Sequence, residues 1–197
     1  MNLIHFFPSA WTAFAIYWVV SAGWVKRTKE SEPRSERFGH VSLTVLAFAL
    51  VFWPGFRTGA LGWQLLPPSR ITYITGAALL VAGLAFAVWA RVHLGQNWSG
   101  TVTLKEGHQL IRTGPYALVR HPIYTGIIIG LAGTAVAQGQ FRGAIAVALM
   151  VGVFRLKSRR EELLMIKEFG DEYARYQKEV GALVPFLPSR KGRQTVS

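Results

Sequence analysis

Four long intervals without a charged residue constrain the fold of this chain more than any other feature. Residues 6–25, 38–56, 71–90 and 121–141 contain no Lys, Arg, Asp or Glu and measure 20, 19, 20 and 21 residues. Because an α-helix rises about 1.5 Å per residue, each interval matches the roughly 30 Å of a bilayer's hydrocarbon. Only 16% of the 197 residues are charged, against about a quarter in an average soluble domain. These features predict a polytopic membrane protein and exclude an ordinary soluble enzyme domain.

The predicted fold class is therefore all-α, with about five transmembrane helices in a single membrane domain. The fifth apolar stretch has only 12 residues between Arg142 and Arg155, so it spans only if these arginines snorkel. We favour a tight transmembrane hairpin for the last two stretches, and a re-entrant hairpin is the alternative. The predicted spans are residues 6–25, 40–56, 71–94, 123–137 and 143–157.

Two segments outside these spans have a different character. Residues 96–122 are polar and punctuated by Gly and Pro, which is not membrane-like. Residues 158–180 predict a separate helix, since apolar or aromatic residues recur there at steps of three and four and define one face. We expect this amphipathic helix to lie along the membrane surface or to cap the polar segment. The residues of that face are Leu163, Ile166, Phe169, Tyr173, Tyr176 and Val180.

The charges predict an orientation. The chain carries 22 basic and 10 acidic residues, a net charge of +12. With five spans, 19 basic residues and all ten acidic ones fall on one side, and only Arg57, Arg70 and Arg142 fall on the other. The positive-inside rule then places the N-terminus outside and both the polar segment and the C-terminus in the cytoplasm. Membrane topology thus accounts for the basic charge, and no nucleic-acid partner is predicted.

The ionisable groups of the cytoplasmic side fall into two blocks, residues 106–124 and residues 155–162. On a helix, Arg155, Arg159 and Glu162 share one face, while Lys157 and Glu161 share another. Charges at the hydrocarbon boundary are costly and usually functional. Cations here suit an anionic substrate, and carboxylates suit a cationic group of a ligand. The chain has no cysteine, which excludes thiolate nucleophiles and Cys-based metal sites, and no metal is predicted.

The two blocks match a known family in sequence. Residues 108–126 read H-Q-L-I-x-x-G-P-Y-A-x-V-R-H-P-I-Y-x-G, and residues 161–176 begin with E-E-L-L and end with F-G-x-E-Y-x-x-Y. This pair closely resembles the isoprenylcysteine carboxyl methyltransferase and phospholipid methyltransferase family. An upstream L-G-x-N-W-S (residues 94–99) is similar to its prokaryotic members. The resemblance covers about residues 91–188 and implies a bacterial or archaeal integral-membrane protein.

What the resemblance implies is a methyltransferase that uses S-adenosylmethionine, bound by the cytoplasmic segment rather than by a Rossmann domain. No strand–GxGxxG–helix unit is present in the sequence, which agrees with that expectation. The implied cofactor contacts are His108, Gln109, Leu110, Ile111, Tyr116, His121, Pro122, Ile123, Tyr124 and Glu161. The family's substrate-binding arginine aligns with Lys157, although Arg155 and Arg159 are close enough to replace it. With Glu162, these three cations are the predicted catalytic residues.

Three functions remain open at this point. The favoured one is methylation of the carboxylate of a lipid-like substrate, either a lipophilic small molecule or a prenylated peptide, at the membrane interface. An N-methyltransferase of a phospholipid amine is the alternative within the family, and it requires a base such as Glu162 or a histidine. The third is a non-enzymatic membrane scaffold whose basic surface binds anionic lipid. The residues predict contact with membrane lipids and do not predict an oligomeric state.

Overall fold

The computed structural model describes residues 5–22, 28–31, 34–95, 103–105 and 110–185, with side chains over 5–21, 38–95 and 110–185. Within these residues the chain is almost entirely helical, so the predicted all-α class is confirmed. A short antiparallel ribbon pairs β1 (Thr28–Ser31) with β2 (Thr103–Lys105). The described helices are α1 (Phe6–Ala22), α2 (Arg34–Phe52), α3 (Arg70–Leu94), α4 (Pro122–Gln138), α5 (Phe141–Phe169) and α6 (Asp171–Glu179).

Helices α3 and α4 form the most closely packed pair. A Cβ added to Gly83 would lie 2.5 Å from the carbonyl oxygen of Gly126 and 2.5 Å from the amide nitrogen of Gly130. Likewise, a Cβ added to Gly76 would lie 2.4 Å from the carbonyl oxygen of Gly133. The two backbones are therefore in direct contact, as small residues permit between apolar helices. This contact holds α4, which begins at Pro122, against α3.

Helices α4 and α5 form a tight hairpin. Only Gly139 and Gln140 separate them, and Gly139 adopts a left-handed conformation with φ of 65°. A Cβ there would be strained, which explains why glycine ends α4. The amide of Gly139 donates to the carbonyl of Ala135. The helical hairpin is thus present in the structure, and whether it spans the bilayer stays a prediction.

Arg142 corrects one detail of the sequence interpretation. A full span of the last apolar stretch required this arginine to snorkel towards water, but its side chain is buried, with 1% of the residue exposed. Its Nη1 donates to the carbonyl oxygens of Leu50 and Val51 at 2.6 and 2.8 Å, and its Nε donates to Gln140 Oε1 at 2.7 Å. The guanidinium therefore caps the last turn of α2, whose carbonyls have no partner within the helix.

One described helix, α3, is both long enough and apolar enough to cross a membrane. Its N-terminus is set by a capping box in which Ser69 and Thr72 exchange hydrogen bonds, and the helix covers the predicted span over residues 71–94. Shorter apolar stretches lie in the other predicted spans, at Phe6–Ser21, Phe38–Phe52 and Pro122–Gln138. The five-span count therefore remains a prediction.

The prediction of a separate helix beginning at residue 158 is wrong. Helix α5 continues without interruption through the polar residues to Phe169, and the break comes at Gly170, where φ is 51°. The predicted apolar face is consequently divided: Leu163 and Ile166 on α5 are exposed, whereas Tyr173 and Tyr176 on α6 are buried. The glutamate pair therefore lies on the same continuous helix as the apolar residues of α5.

Candidate active site

The site residues lie where the start of α4, the polar extension of α5 and the short helix α6 meet. Pro122 occupies the first turn of α4, where its missing N–H costs no hydrogen bond, and His121 is the N-cap residue. Upstream, Gly114 has φ of 59° and begins a 3₁₀ turn over Gly114–Ala117 that buries Tyr116. Two short local signals thereby bring His121 and Tyr116 to one end of the helical bundle.

Glu162 is the centre of a buried hydrogen-bonded cluster. Arg120 donates to its Oε1 from Nε at 2.9 Å and from Nη2 at 2.7 Å, and the His121 Nε2 lies 3.1 Å from the same oxygen. Gln177 donates to Oε2 at 3.0 Å. The Arg120 Nη1 also donates to the carbonyls of Gln177 and Val180. Both oxygens of Glu162 are therefore occupied by protein groups, and the cluster ties α4, α5 and α6 together.

Glu161 has a different environment, since it faces the cavity described below. Its Oε2 lies 3.3 Å from Nδ1 of His121, and its Oε1 accepts a hydrogen bond from the Tyr124 hydroxyl. The Tyr124 ring is stacked on His121 at 5.6 Å and on Phe154 at 4.5 Å between centroids. The Lys157 ammonium lies 5.4 Å from the centroid of the same ring, within cation–π range. An anion and a cation are thus held beside one aromatic ring.

The protonation states follow from these contacts. Burial by itself would lower the pKa of His121, but its hydrogen bonds to Glu161 and Glu162 outweigh burial and raise that pKa above 6.5. Burial would raise the pKa of both carboxyl groups, but the His121 hydrogen bonds, with Lys157 for Glu161 and Arg120 for Glu162, hold these pKa values below 4.5. The site therefore favours a protonated imidazole between two ionised carboxylates.

The segment after α6 is hydrogen-bonded to the start of α4. The amides of Arg120 and His121 donate to the carbonyls of Gly181 and Ala182 at 2.9 and 3.0 Å, and the Thr125 hydroxyl donates to the Leu183 carbonyl at 2.8 Å. The first two bonds satisfy backbone donors immediately before α4 that have no partner within the helix. On α6 itself, the Tyr176 hydroxyl donates to the carbonyl of Tyr116 at 2.5 Å. Helix α6 and the residues after it thus cap the site.

A single cavity of about 960 Å³ joins this charged cluster to the apolar face of α1 and α2. Its charged and polar lining includes His121, Lys157 and Glu161. The remainder is mostly aromatic and aliphatic, a composition that suits a small-molecule site with a few placed polar groups. The aromatic lining residues of α1 and α2 are Trp11, Phe14, Trp18, Phe48 and Phe52.

Comparison with known proteins identifies the family. The model of the isoprenylcysteine carboxyl methyltransferase (ICMT) family matches residues 76–167. The protein-S-isoprenylcysteine O-methyltransferase of Mus musculus is 30% identical over 205 residues, covering 96% of this chain and 71% of the mouse protein. The chain belongs to the ICMT family. The family predicted from the paired motifs is therefore confirmed.

Two further matches bear on the extent of this ICMT relationship. The protein-S-isoprenylcysteine O-methyltransferase of Schizosaccharomyces pombe is 35% identical over 102 residues, covering 50% of this chain but only 43% of the yeast protein. A solved structure of the eukaryotic intramembrane Ras methyltransferase ICMT shares 23% identity and a TM-score of 0.51, covering 80% of this chain and 55% of that one. The structural match shows that the ICMT fold is shared.

Most of the cofactor contacts implied by the ICMT motifs come together in the structure. His108 and Gln109 lie outside the described residues. Each of the other eight lines the cavity: Leu110, Ile111, Tyr116, His121, Pro122, Ile123, Tyr124 and Glu161. These eight come from three separate segments of the chain, so the motif spacing identified residues that the fold gathers around one space. Their role in binding a cofactor stays a prediction.

The four predicted catalytic residues lie in three different environments. Lys157 lines the cavity with Glu161. Glu162 does not line the cavity and is held by hydrogen bonds with Arg120, His121 and Gln177. Arg155 and Arg159 are exposed, and neither lines the cavity. The structure therefore favours Lys157 among the three cations and gives Glu162 a positioning rather than a reacting place.

Several residues around the site were not predicted as part of it. Arg120 was not among the predicted cofactor-binding or catalytic residues, although its position directly before His121 in the motif was a usable signal. Tyr173 and Tyr176 belong to the predicted amphipathic face, and they line the cavity. The aromatic residues of α1 and α2 carried no local signal, because any membrane helix contains such residues.

Proposed function

We propose that the chain is an S-adenosylmethionine-dependent methyltransferase that methylates the carboxylate of a lipid-like, isoprenylcysteine-type substrate at the membrane interface. The observation that carries this proposal is the single cavity that joins Glu161 and Lys157 to an apolar lining between α1, α2 and α5. A substrate with a charged end and a long apolar tail fits such a space. The mouse and yeast relatives, both protein-S-isoprenylcysteine O-methyltransferases, support the same reaction.

The residues present fit the proposed cofactor. Glu161 is kept ionised in a largely apolar cavity, where a cationic ligand group would compensate its charge. Tyr116, Leu110 and Ile111 line the same space and would hold a flat heteroaromatic ring. When bound, S-adenosylmethionine supplies an electrophilic methyl group. We therefore assign Glu161 to the cationic part of the cofactor and Tyr116 with its apolar neighbours to the adenine.

Lys157 is the cation that we assign to the substrate. A carboxylate with an ordinary pKa near 3.5 is ionised at neutral pH, so it needs orientation and no general base. The Lys157 ammonium lies beside the Tyr124 ring and within the electrostatic range of Glu161. From there it can hold the substrate carboxylate near the methyl donor. Aligning two reactants in a site that excludes water accounts for much of the catalysis in such a displacement.

The alternative phospholipid N-methyltransferase needs a residue that removes a proton from an ammonium group. Glu162 is poorly suited, because its oxygens accept hydrogen bonds from Arg120, His121 and Gln177 and its pKa is lowered. His121 is poorly suited too, because its raised pKa favours the protonated form. These observations favour the carboxylate acceptor.

The experiment that tests this proposal uses the full chain purified in detergent, with methyl-labelled S-adenosylmethionine and two acceptors. We expect N-acetyl-S-farnesylcysteine to gain a base-labile methyl ester and phosphatidylethanolamine to gain no label. Label confined to the phospholipid headgroup would contradict the carboxylate assignment. Calorimetry that detects binding of neither S-adenosylmethionine nor its demethylated product would favour the non-enzymatic scaffold. A variant with Glu161→Ala provides the control, since it should lose both binding and turnover.

We also propose the orientation in which this site faces the cytoplasm and the N-terminus lies outside. The support is the charge distribution, since 19 of the 22 basic residues fall on the side of the site. The substrate tail would then enter from the lipid between helices and its carboxylate from the cytoplasmic interface. Membrane lipids and a lipophilic or prenylated substrate are the partners that this arrangement requires.

A further inference from the structure

The cavity extends along helix α1 well beyond the charged cluster. Its lining includes Pro8, Trp11, Ala15, Trp18 and Val19, which recur at helical spacing and form a stripe on one face. From Pro8 to Val19 the helix rises about 16 Å. Trp18 packs with Tyr116 and Ile123 at the charged end, so the stripe leads away from the site into the apolar part of the bundle.

Trp11, about 10 Å of helical rise from Trp18, is the most firmly held residue of this stripe. Its indole Nε1 donates to the Thr134 hydroxyl at 3.0 Å, and Thr134 in turn donates to the carbonyl of Gly130 at 3.0 Å. Both partners are buried, with Trp11 7% and Thr134 0% exposed. An indole N–H without a partner at this depth would be costly, so the hydrogen bond fixes the ring.

Aromatic contacts restrain the same ring from its other sides. Phe48 of α2 meets it edge-on with centroids 4.9 Å apart, and Phe14 does so at 5.9 Å. A Cβ added to Gly130 would lie only 3.3 Å from the indole. The ring therefore reaches α4 from α1 and touches α2, and these contacts and its hydrogen bond hold it at the wall of the cavity.

We propose that Trp11 determines the length of the lipid chain that the cavity accepts. The inference rests on the proposed function, because it assigns the apolar lining to the tail of the methylated substrate. A chain whose carboxylate is held by Lys157 passes Trp18 first and reaches the Trp11 ring next. Beyond that ring the cavity continues past Pro8 and Phe52, so the indole restricts space that already exists rather than closing the end of the bundle.

The test compares the full-length protein with Trp11→Ala on N-acetylcysteine thioethers that carry geranyl, farnesyl or geranylgeranyl chains. We measure kcat/KM for each chain. A single change in a hydrophobic pocket alters discrimination by about tenfold or more, so the ratio of geranylgeranyl to farnesyl should rise by that factor in Trp11→Ala. Thr134→Val keeps the indole but removes its acceptor, and we expect a smaller rise in the same ratio.

Phe7→Ala is the matched control. Phe7 lies one turn before Trp11, is equally buried and packs in the core, but it does not line the cavity. Its removal should leave the ratio unchanged. An unchanged ratio in both Trp11→Ala and Thr134→Val, with the wild type active, would overturn the inference, as would an equal rise in Phe7→Ala. A wild type that methylates none of the three compounds would instead overturn the proposed function, and the inference with it.

Discussion

The adjacent carboxylates Glu161 and Glu162 illustrate how one turn of helix divides two tasks between neighbouring residues. Glu161 lines the cavity and contacts Tyr124 and His121, whereas Glu162 faces Arg120, whose side chain is only 1% exposed. Consecutive helical residues point about 100° apart, so the two carboxylates face different surroundings and share only His121 as a partner. One carboxylate faces the cavity, and the other holds together the helices that surround it.

Replacing Glu162 by Gln should destabilise the protein strongly. The substitution removes the negative charge opposite the buried Arg120 guanidinium, and a buried ion that loses its partner costs about 3 kcal/mol. Glu179→Gln is the control, since Glu179 pairs with Arg112 at the surface, where the side chains are 56% and 34% exposed and such a pair contributes less than about 1 kcal/mol. Thermal unfolding in detergent measures both. Equal losses in the two variants would contradict the structural role of Glu162.

Removing the Lys157 ammonium should weaken the binding of the substrate rather than that of the cofactor. A hydrogen bond to a charged group contributes about 1.5–3 kcal/mol, so Lys157→Ala should raise KM for the lipid carboxylate about tenfold or more, with little change in S-adenosylmethionine affinity. Lys157→Arg should restore most of the affinity. Arg155→Ala, which removes an exposed cation two residues away, should behave like the wild type. A substrate KM that responds to Arg155 and not to Lys157 would contradict the assignment.

The cluster around His121 predicts a dependence of stability on pH. His121, whose pKa folding raises, contributes fully below pH 6.5, and its contribution is lost as the pH rises through the folded-state pKa. Glu161 and Glu162, whose pKa values folding lowers, contribute fully above pH 4.5 and lose their contribution as the pH falls through their folded-state values. These groups therefore stabilise most between pH 4.5 and 6.5. Melting temperatures measured across pH test this. The wild type should lose stability as the pH rises above 6.5, and His121→Asn should lack this loss. The same loss in His121→Asn would contradict the prediction.

At the scale of the helices, the direct backbone contact between α3 and α4 predicts the effect of a single methyl group. Gly83→Ala would place a Cβ 2.5 Å from backbone atoms of Gly126 and Gly130. Because backbone cannot move aside cheaply, we expect a loss of about 1–3 kcal/mol in unfolding free energy. Gly152→Ala is the control, since nothing lies within 4 Å of its added Cβ, and its better helix propensity adds up to about 1 kcal/mol. Equal effects on the melting temperature would contradict the close packing.

The helices also show which features the sequence could predict. Charge-free intervals located the apolar helices, and Pro122 and Gly139 marked the ends of α4, since these signals act within a few residues. The end of α5 was missed because we expected the change to polar residues at Ser158 to begin a new helix. A polar residue does not break a helix, whereas Gly170 with positive φ does. Composition and termination are separate properties of a helix.

At the scale of the whole molecule, the site was predictable where its residues are close in sequence and not where they come together only by folding. The motif residues between Tyr116 and Tyr124 and the glutamate pair were identified because their order and spacing are specific. Lys157 could not be chosen over Arg155 and Arg159, because the choice depends on the rotation of α5 relative to the cavity. The wall that Trp11 forms depends on α1 packing against α2 and α4, which no local pattern specifies.

The orientation of the molecule in the membrane can be tested because the chain contains no cysteine. Thr58 lies in the α2–α3 connection and Lys178 on α6, and both are exposed. The excess of basic residues on the side of α6 predicts that this side is cytoplasmic. In intact cells of a bacterial host, a membrane-impermeant maleimide should therefore label Thr58→Cys and not Lys178→Cys. Lys178→Cys should react only after the membrane is permeabilised, and the parent chain should never react. Labelling of Lys178→Cys in intact cells would reverse the topology and put the site outside, away from the cytoplasmic supply of S-adenosylmethionine.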